Sequence, residues 1–279
     1  MKLVRCGDPA SFLAKTEQFL LRKEAGNNLP LGIVHQLNQG ASMGDDVFLA
    51  YVETDGQLLL AMVMTPPHNL IFSVNEVDKK VVAFTANTLF GMNVNIPGVV
   101  GEKQMVTSFI ERWSTLHPCQ PETVMDQRLY KLETVNPVPI SEGNLILADK
   151  GHIELIADWI QAFTKYTPEP ELLEKDALKK ADLFITENSI YLWVVHGRPV
   201  SMARKARPTK NGIVINYVYT PAEHRNKGYA SSCVALQCQQ LLKEYQFCTL
   251  YTDLSNPVSN HIYQEIGFKP LIDSLVIRC

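Results

Sequence analysis

Apolar and polar residues in the first half of the chain repeat with two different periods. From about Pro9 to Lys23, Phe12, Leu13, Phe19 and Leu20 fall at helical spacing. Four segments then read as strands: Val47 to Glu53, Leu58 to Met64, Asn69 to Ser73 and Val81 to Ala86, with Asp55-Gly56 as a hairpin turn between the first two. Met105, Val106, Phe109, Ile110 and Trp113 form one apolar stripe, which predicts a helix from Glu102 to about Leu116. Pro97-Gly98-Val99-Val100-Gly101 leads into that helix, and a strand over Gln127 to Glu133 follows it. Two alternating prolines in Thr134-Val135-Asn136-Pro137-Val138-Pro139-Ile140 exclude helix and favour an extended connector, so a domain boundary is expected there.

The second half opens with a short strand, Leu145 to Leu147, and a helix from His152 to about Tyr166 that presents Ile153, Ile156, Ala157, Ile160 and Phe163 on one face. An acidic helix over roughly Glu169 to Lys180 comes next. Ser189 to Val195 and Val200 to Ala206 read as a hairpin closed around His196-Gly197-Arg198-Pro199. Ile213 to Thr220 and Phe247 to Leu254 are strands apolar on both sides, separated by a helix from Tyr229 to about Glu244. Strand, helix and strand within this span is the pattern of a crossover between parallel strands. Together with the hairpin it predicts a mixed sheet and an α+β (mixed α/β) fold.

Composition narrows the function classes. A formal net charge of −3 gives no general attraction to nucleic acid or anionic membranes. No apolar run reaches the roughly 20 residues that span a bilayer, and Arg5 and Asp8 interrupt any signal-like segment at the start. The expected compartment is the cytoplasm. Cys6, Cys119, Cys233, Cys238, Cys248 and Cys279 lack paired metal-ligand spacing, the histidines show none either, and no metal is expected. Cys233, Cys238 and Cys248 fall at buried positions, where free cysteine behaves as a small hydrophobe.

Chemistry concentrates between Ile213 and Pro270. Arg225-Asn226-Lys227-Gly228-Tyr229-Ala230 turns a buried strand into a helix. Gly228 and Ala230 let a ligand approach the backbone, the first amides of the helix have no intrahelical partner, and Arg225 and Lys227 add positive charge. That combination suits a pyrophosphate, although the spacing alone is weak evidence and an ordinary tight turn would share it. Ala230, Cys233, Val234, Cys238, Leu241 and Tyr245 give the helix an apolar face that would hold its N-terminus rigid. Further on, Asn256 is a good N-cap, Pro257 a good first helical residue and Gly267 a good stop. Tyr263 lies about 100° around that helix from the Ile262–Ile266 stripe, so it can face a cleft or pack.

Taken in order, Val218-Tyr219-Thr220-Pro221, Arg225-x-x-Gly228-Tyr229-Ala230 and Asn256-Pro257-x-Ser259-Asn260-x-x-Tyr263-x-x-x-Gly267-Phe268 resemble the coenzyme-A-binding core of the GNAT N-acetyltransferases. The similarity is specific over Val200 to Pro270 and extends by order of elements to about Leu145. It implies a mixed central sheet flanked by helices, with acetyl-CoA and an amine acceptor as reactants. The resemblance places the pantetheine arm along Val218, Tyr219 and Thr220. It puts the pyrophosphate on Arg225, Asn226, Lys227, Gly228, Tyr229, Ala230 and Ser231, the pantetheine end on Asn256, and makes Tyr263 the acid that meets the departing thiolate. A general base is not evident: Glu223 and His224 read as exposed turn residues, and Asn216 stands where some family members carry a carboxylate.

Other charges carry weaker readings. Glu169, Glu171, Glu174 and Asp176 could attract a cationic amine but fit a solvated helix face. Arg198, Arg204, Lys205, Arg207 and Lys210 could meet the adenine-side phosphate but fit exposed hairpin charge. The first half reads as a degenerate copy of the same fold, with Pro97-Gly98-Val99-Val100-Gly101 where a phosphate loop would stand and no basic residue before Lys103. The expected organisation is a degenerate GNAT-like domain over 1–135, a linker over 136–143 and a catalytic domain over 144–279. A non-catalytic acyl-CoA-binding module is the competing reading.

Overall fold

The computed structural model describes residues 1–41, 44, 46–167 and 171–279. Its first tract of chain runs β1 (Lys2–Cys6), α1 (Pro9–Leu21), α2 (Asn28–Asn38), β2 (Phe48–Thr54), β3 (Gln57–Met64), β4 (Leu70–Phe72), α3 (Lys79–Gly91), β5 (Gly98–Glu102), α4 (Lys103–Leu116) and β6 (Glu122–Leu132). The second tract repeats that succession as β7 (Asn144–Leu147), α5 (Ile153–Thr164), α6 (Glu174–Thr186), β8 (Ile190–Val195), β9 (Arg198–Ala206), β10 (Gly212–Tyr219), α7 (Tyr229–Leu241), β11 (Phe247–Asp253), α8 (Pro257–Ile266) and β12 (Lys269–Arg278). Glu169 of the acidic stretch lies outside the described residues.

The compact units do not follow chain order. One comprises Met1–Leu129, Thr252–Ser255 and Pro270–Cys279, and the other Tyr130–Tyr251 and Asn256–Lys269. β12 therefore belongs to the first unit from Pro270 on, while β6 stays in the first unit as far as Leu129 and only its end, from Tyr130, enters the second. The boundary expected at the alternating prolines puts all of 144–279 in one domain, and nothing local in the sequence tells a strand which sheet it will join.

In the first unit β1 to β4 pair antiparallel in sequence order, and β4 runs parallel to β5 through the crossover helix α3. β12 is antiparallel to β5 from Ser274↔Glu102 to Arg278↔Gly98. Leu275 and Ile277 thereby join Phe72, Phe109 and Trp113 in the core. A Cβ at Gly98 would collide with the Ile277 carbonyl, so glycine admits the incoming strand. Cys119 and Cys279 form a disulfide that fastens the end of the chain to this unit, a pairing that spacing does not reveal.

Two expectations for this half are corrected. Val81 to Ala86 is helical rather than a strand. Asp78 caps α3 by accepting from the Lys80 amide at 2.7 Å, and Val81, Val82, Thr85, Ala86 and Leu89 bury one helical face. The β-branched residues mimicked a strand, and packing against α4 decided otherwise. Pro97 to Gly101 is not a phosphate loop but the approach to β5 and most of that strand. The junction that begins the crossover is Ser73 to Asp78, after β4, and the helix N-terminus there is already occupied by the Asp78 carboxylate.

In the second unit β7 to β10 are antiparallel in sequence order, and β10 runs parallel to β11 through α7. Side chains alternate between two layers. Leu192 and Met202 pack with α5 and α6, whereas Trp193, Ala203, Ile213 and Ile215 pack with α7 and α8. The connector is not a free linker. Asn136 donates its amide to Ile266 O at 2.8 Å and its side chain to Glu265 O at 3.0 Å, closing the end of α8. Arg204 is buried rather than exposed hairpin charge, donating to Glu187 at 2.8 Å and Ser189 at 3.0 Å.

Removing the β12 contribution to the first core tests that placement. Leu275→Ala should cost about 2–4 kcal/mol in urea denaturation. A cost below about 1 kcal/mol would show that the strand is peripheral.

Candidate active site

The site is set by an irregularity in β10. Its ladder to β9 runs Val214↔Ala206, Ile215↔Lys205 and Asn216↔Arg204, then resumes at Tyr219↔Met202, so β10 carries a surplus residue. The surplus makes a β-bulge, with Tyr217 in the left-handed region at φ 49°. Side-chain parity shifts at this point. Ile213 and Ile215 face α7, yet Tyr217 and Tyr219 pack with α5 and α6, while Val218 returns to the α7 side. Tyr217 is held there between the rings of Phe163 and Phe184, with its hydroxyl accepting from Lys180 Nζ at 2.8 Å.

On the other edge of β10, parallel pairing with β11 covers Gly212↔Phe247, Ile213↔Cys248 and Val214↔Thr249 and then stops. Both strands continue, to Tyr219 and Asp253, so they part beyond Val214. A parting between neighbouring parallel strands leaves backbone groups without a ladder, and an extended ligand can supply the missing partner. Val218, Tyr219 and Thr220 lie on this stretch, half-buried.

A short turn over Ala222–His224 leads into Arg225 to Gly228, with Asn226 at φ 60° and Gly228 at φ 75°. Among the described residues the amides of Asn226, Lys227, Gly228, Tyr229, Ala230 and Ser231 donate no hydrogen bond. The first that does is Ser232, to Gly228 O at 2.9 Å. Arg225 to Gly228 are exposed, and no side-chain oxygen caps the helix. Main-chain donors arranged in this way can receive an anion. Arg225 is partly committed: its Nε donates to Thr220 O at 3.0 Å and its Nη2 to the Tyr166 hydroxyl at 3.2 Å, which lowers the pKa of that phenol.

Residues that sequence reasoning missed hold the loop in place. Ser141 Oγ donates to Lys227 O at 2.7 Å, and the Ser141 amide donates to Ser232 Oγ at 2.8 Å. Ser232 Oγ in turn donates to Gly228 O at 3.0 Å. No local signal marks Ser141, which lies far from the loop in sequence. Tyr130 likewise anchors α8, donating to Asn260 Oδ1 at 2.8 Å and accepting from Gln264 Nε2 at 3.2 Å.

Asn256 is exposed at the start of α8, where its side chain accepts from the Ser259 amide at 3.0 Å. Tyr263 is buried at 8% exposure, in the same cluster as Cys233 and Cys238 of α7, against which Val218 and Tyr229 also pack. Its ring meets Phe268 edge-on, with centroids 5.9 Å apart. Burial pushes its phenol far above the ordinary range, so it stays protonated. Burial also raises Cys233 and Cys238, which excludes them as thiolate nucleophiles at neutral pH. Glu223 is exposed and His224 half-buried in the turn before the loop. Among the described residues no group of three or more His, Cys, Asp or Glu could hold a metal, and no helix is long and apolar enough to cross a membrane.

Comparison with known proteins agrees with this geometry. Residues 156–268 match the model of the acetyltransferase (GNAT) family. None of the curated proteins matches the sequence. Three solved structures share the fold over nearly the whole chain. One is a GCN5-related N-acetyltransferase from Sphaerobacter thermophilus (15% identity, TM-score 0.67, 99% of this chain and 95% of that one). Another is a GNAT-family acetyltransferase from Colwellia psychrerythraea (8%, 0.61, 100% and 98%). The third is a tandem GNAT protein from the clavulanic acid biosynthesis pathway (11%, 0.58, 99% and 97%). The fold is a GNAT-like mixed sheet flanked by helices, present twice.

The buried phenol has a pH signature. Its folded pKa is raised, so the stabilisation is complete below the unfolded value near 10 and is lost as the pH climbs above it. Wild-type protein should therefore lose stability more steeply than Tyr263→Phe above about pH 10, measured by urea denaturation at stepped pH. Parallel losses would mean that the phenol is solvated.

Proposed function

We propose that the second unit is an N-acetyltransferase that moves the acetyl group of acetyl-CoA to an amine by direct attack. The observation that carries this reading is the row of unbonded amides from Asn226 to Ser231, beside the place where β10 and β11 part. A diphosphate needs several convergent donors, and a pantetheine arm needs an unpaired strand edge. Both stand next to each other here. Arg225 and Lys227 add charge at the loop, and Asn256 keeps a side-chain amide free of its cap for the far end of the arm.

The chemistry falls to few residues. Acetyl-CoA supplies the thioester. In this reading the Val218 amide, beside the bulge, polarises the thioester carbonyl. Tyr263 gives its proton to the departing sulfur, a role that suits a phenol kept neutral by burial. An amine near its ordinary pKa can lose its proton to water, and no carboxylate base is required. In this reading the first unit holds no second cofactor. The position equivalent to the phosphate loop ends in Asp78, whose carboxylate already satisfies the helix N-terminus and would repel a phosphate.

Gly228→Asp places a negative side chain at the loop, in a left-handed conformation where a Cβ would lie 2.6 Å from Ser141 Oγ. Calorimetry should show acetyl-CoA binding abolished in this variant and intact in wild type. Tyr263→Phe separates an enzyme from a non-catalytic acyl-CoA-binding module. In an enzyme it should cut amine-dependent thiol release by about 10²-fold or more with acetyl-CoA affinity little changed. Wild-type binding without thiol release from any amine would favour the module.

A further inference from the structure

Helix α8 carries the proposed acid, yet little apolar contact holds it. Of its ten residues only Tyr263 and Ile266 are buried, with Ile262 partly buried beside them and Val258 exposed at the start. So narrow a stripe presses a helix onto its neighbours but sets its rotation about its own axis only weakly. A rotation of about 10° carries a side-chain tip by on the order of 1 Å. A misplacement of that size at reacting atoms can cost about 10²-fold in rate.

Polar ties supply what packing lacks. Asn256, Asn260 and Gln264 recur every fourth residue and so share one face of α8. The Tyr130 hydroxyl meets that face from the end of β6, donating to Asn260 Oδ1 at 2.8 Å and accepting from Gln264 Nε2 at 3.2 Å. Asn260 Nδ2 donates in turn to Asn256 O at 2.7 Å, which passes the tie on to the cap of the helix. At the other end Asn136 holds Ile266 O and Glu265 O. Gly267 admits that contact, since a Cβ there would lie 2.8 Å from Thr134 O. One continuous tract, Tyr130 to Asn136, therefore holds α8 at its middle and at its end. Packing alone does not call for the Tyr130 hydroxyl. The ring is fully buried, and phenylalanine would fill the same core without an oxygen to satisfy.

We infer that Tyr130 is a positioning residue for the acetyl transfer: its hydroxyl sets the rotation of α8 and thereby the place of the Tyr263 phenol against the departing sulfur. This rests on the proposed reaction and adds a residue to it. Gln264 adjoins Tyr263 in the chain, so its bond to Tyr130 acts on the very turn that carries the acid. Asn260 lies one turn back, and the two bonds together resist rotation in both senses. Tyr130 touches no reacting atom and gives up no proton, and the proton that reaches sulfur is still that of Tyr263.

The test follows thiol release by full-length protein from acetyl-CoA, with the fastest acceptor from a panel of alkylamines, arylamines, amino acids and peptides. Tyr130→Phe should lower kcat by about tenfold, with the KM for acetyl-CoA changed by less than about twofold. Gln264→Ala removes one of the two bonds from an exposed position and should lower kcat by about threefold. In a Tyr263→Phe background either substitution should lower the residual rate by less than about twofold, because no acid is left to position. The positioning role is overturned if Tyr130→Phe leaves kcat unchanged. It is also overturned if its loss persists in full without Tyr263, which would make the hydroxyl a general support of the fold. Should Tyr130→Phe fail to fold, Gln264→Ala in the two backgrounds decides in the same way. Wild-type protein that releases no thiol with any amine of the panel would refute the acetyl transfer itself, and the positioning role with it.

Discussion

A helix cannot satisfy the amides of its own first turn, and in α7 none of the described residues supplies a substitute. Gly228, in a left-handed conformation, bends the chain so that the amides leading into the helix and those of its first turn are left without acceptors. Burying donors in this way would be costly, but Asn226 to Gly228 are exposed and Tyr229 to Ser231 only half-buried. The rest of the second unit keeps them aimed. The α7 face formed by Cys233, Val234, Cys238 and Leu241 is buried against the sheet, and Ser141 and Ser232 tie the loop down from behind.

The same succession of elements occurs in the first unit, where the outcome is opposite. There the crossover helix begins at Asp78, whose carboxylate closes its own helix N-terminus. One aspartate in place of one glycine turns an anion-accepting junction into a self-satisfied cap. The first core includes Leu275 and Ile277 of β12, and the second includes Tyr130 and Leu132 from the end of β6.

Much of the second unit was legible from sequence because its signals are local. Asn256-Pro257 and Gly267 mark the ends of α8, Gly228 marks the start of α7, and both crossover strands are apolar on two sides. The β-bulge was not legible, since no residue type demands it: Tyr217 takes a positive φ because Phe163, Phe184 and Lys180 hold its side chain. Nor was Ser141, which acts only through tertiary contact. Val81 to Ala86 misled because β-branched residues suit strand and buried helix alike. Gly98 and Gly101 suggest a loop in the first half, but those glycines serve close packing, against Ile277 and against Phe72.

The central claim is that main-chain amides before and within the first turn of α7 grip the diphosphate of the cofactor. Amide hydrogen exchange resolved to single residues, with and without coenzyme A, reports this directly. The account predicts fast exchange at Asn226 through Ser231 in the free protein and strong slowing there on binding, with little change at Lys80 and Val81 in α3. Slowing confined to other segments, while those amides stay fast in the complex, would contradict it.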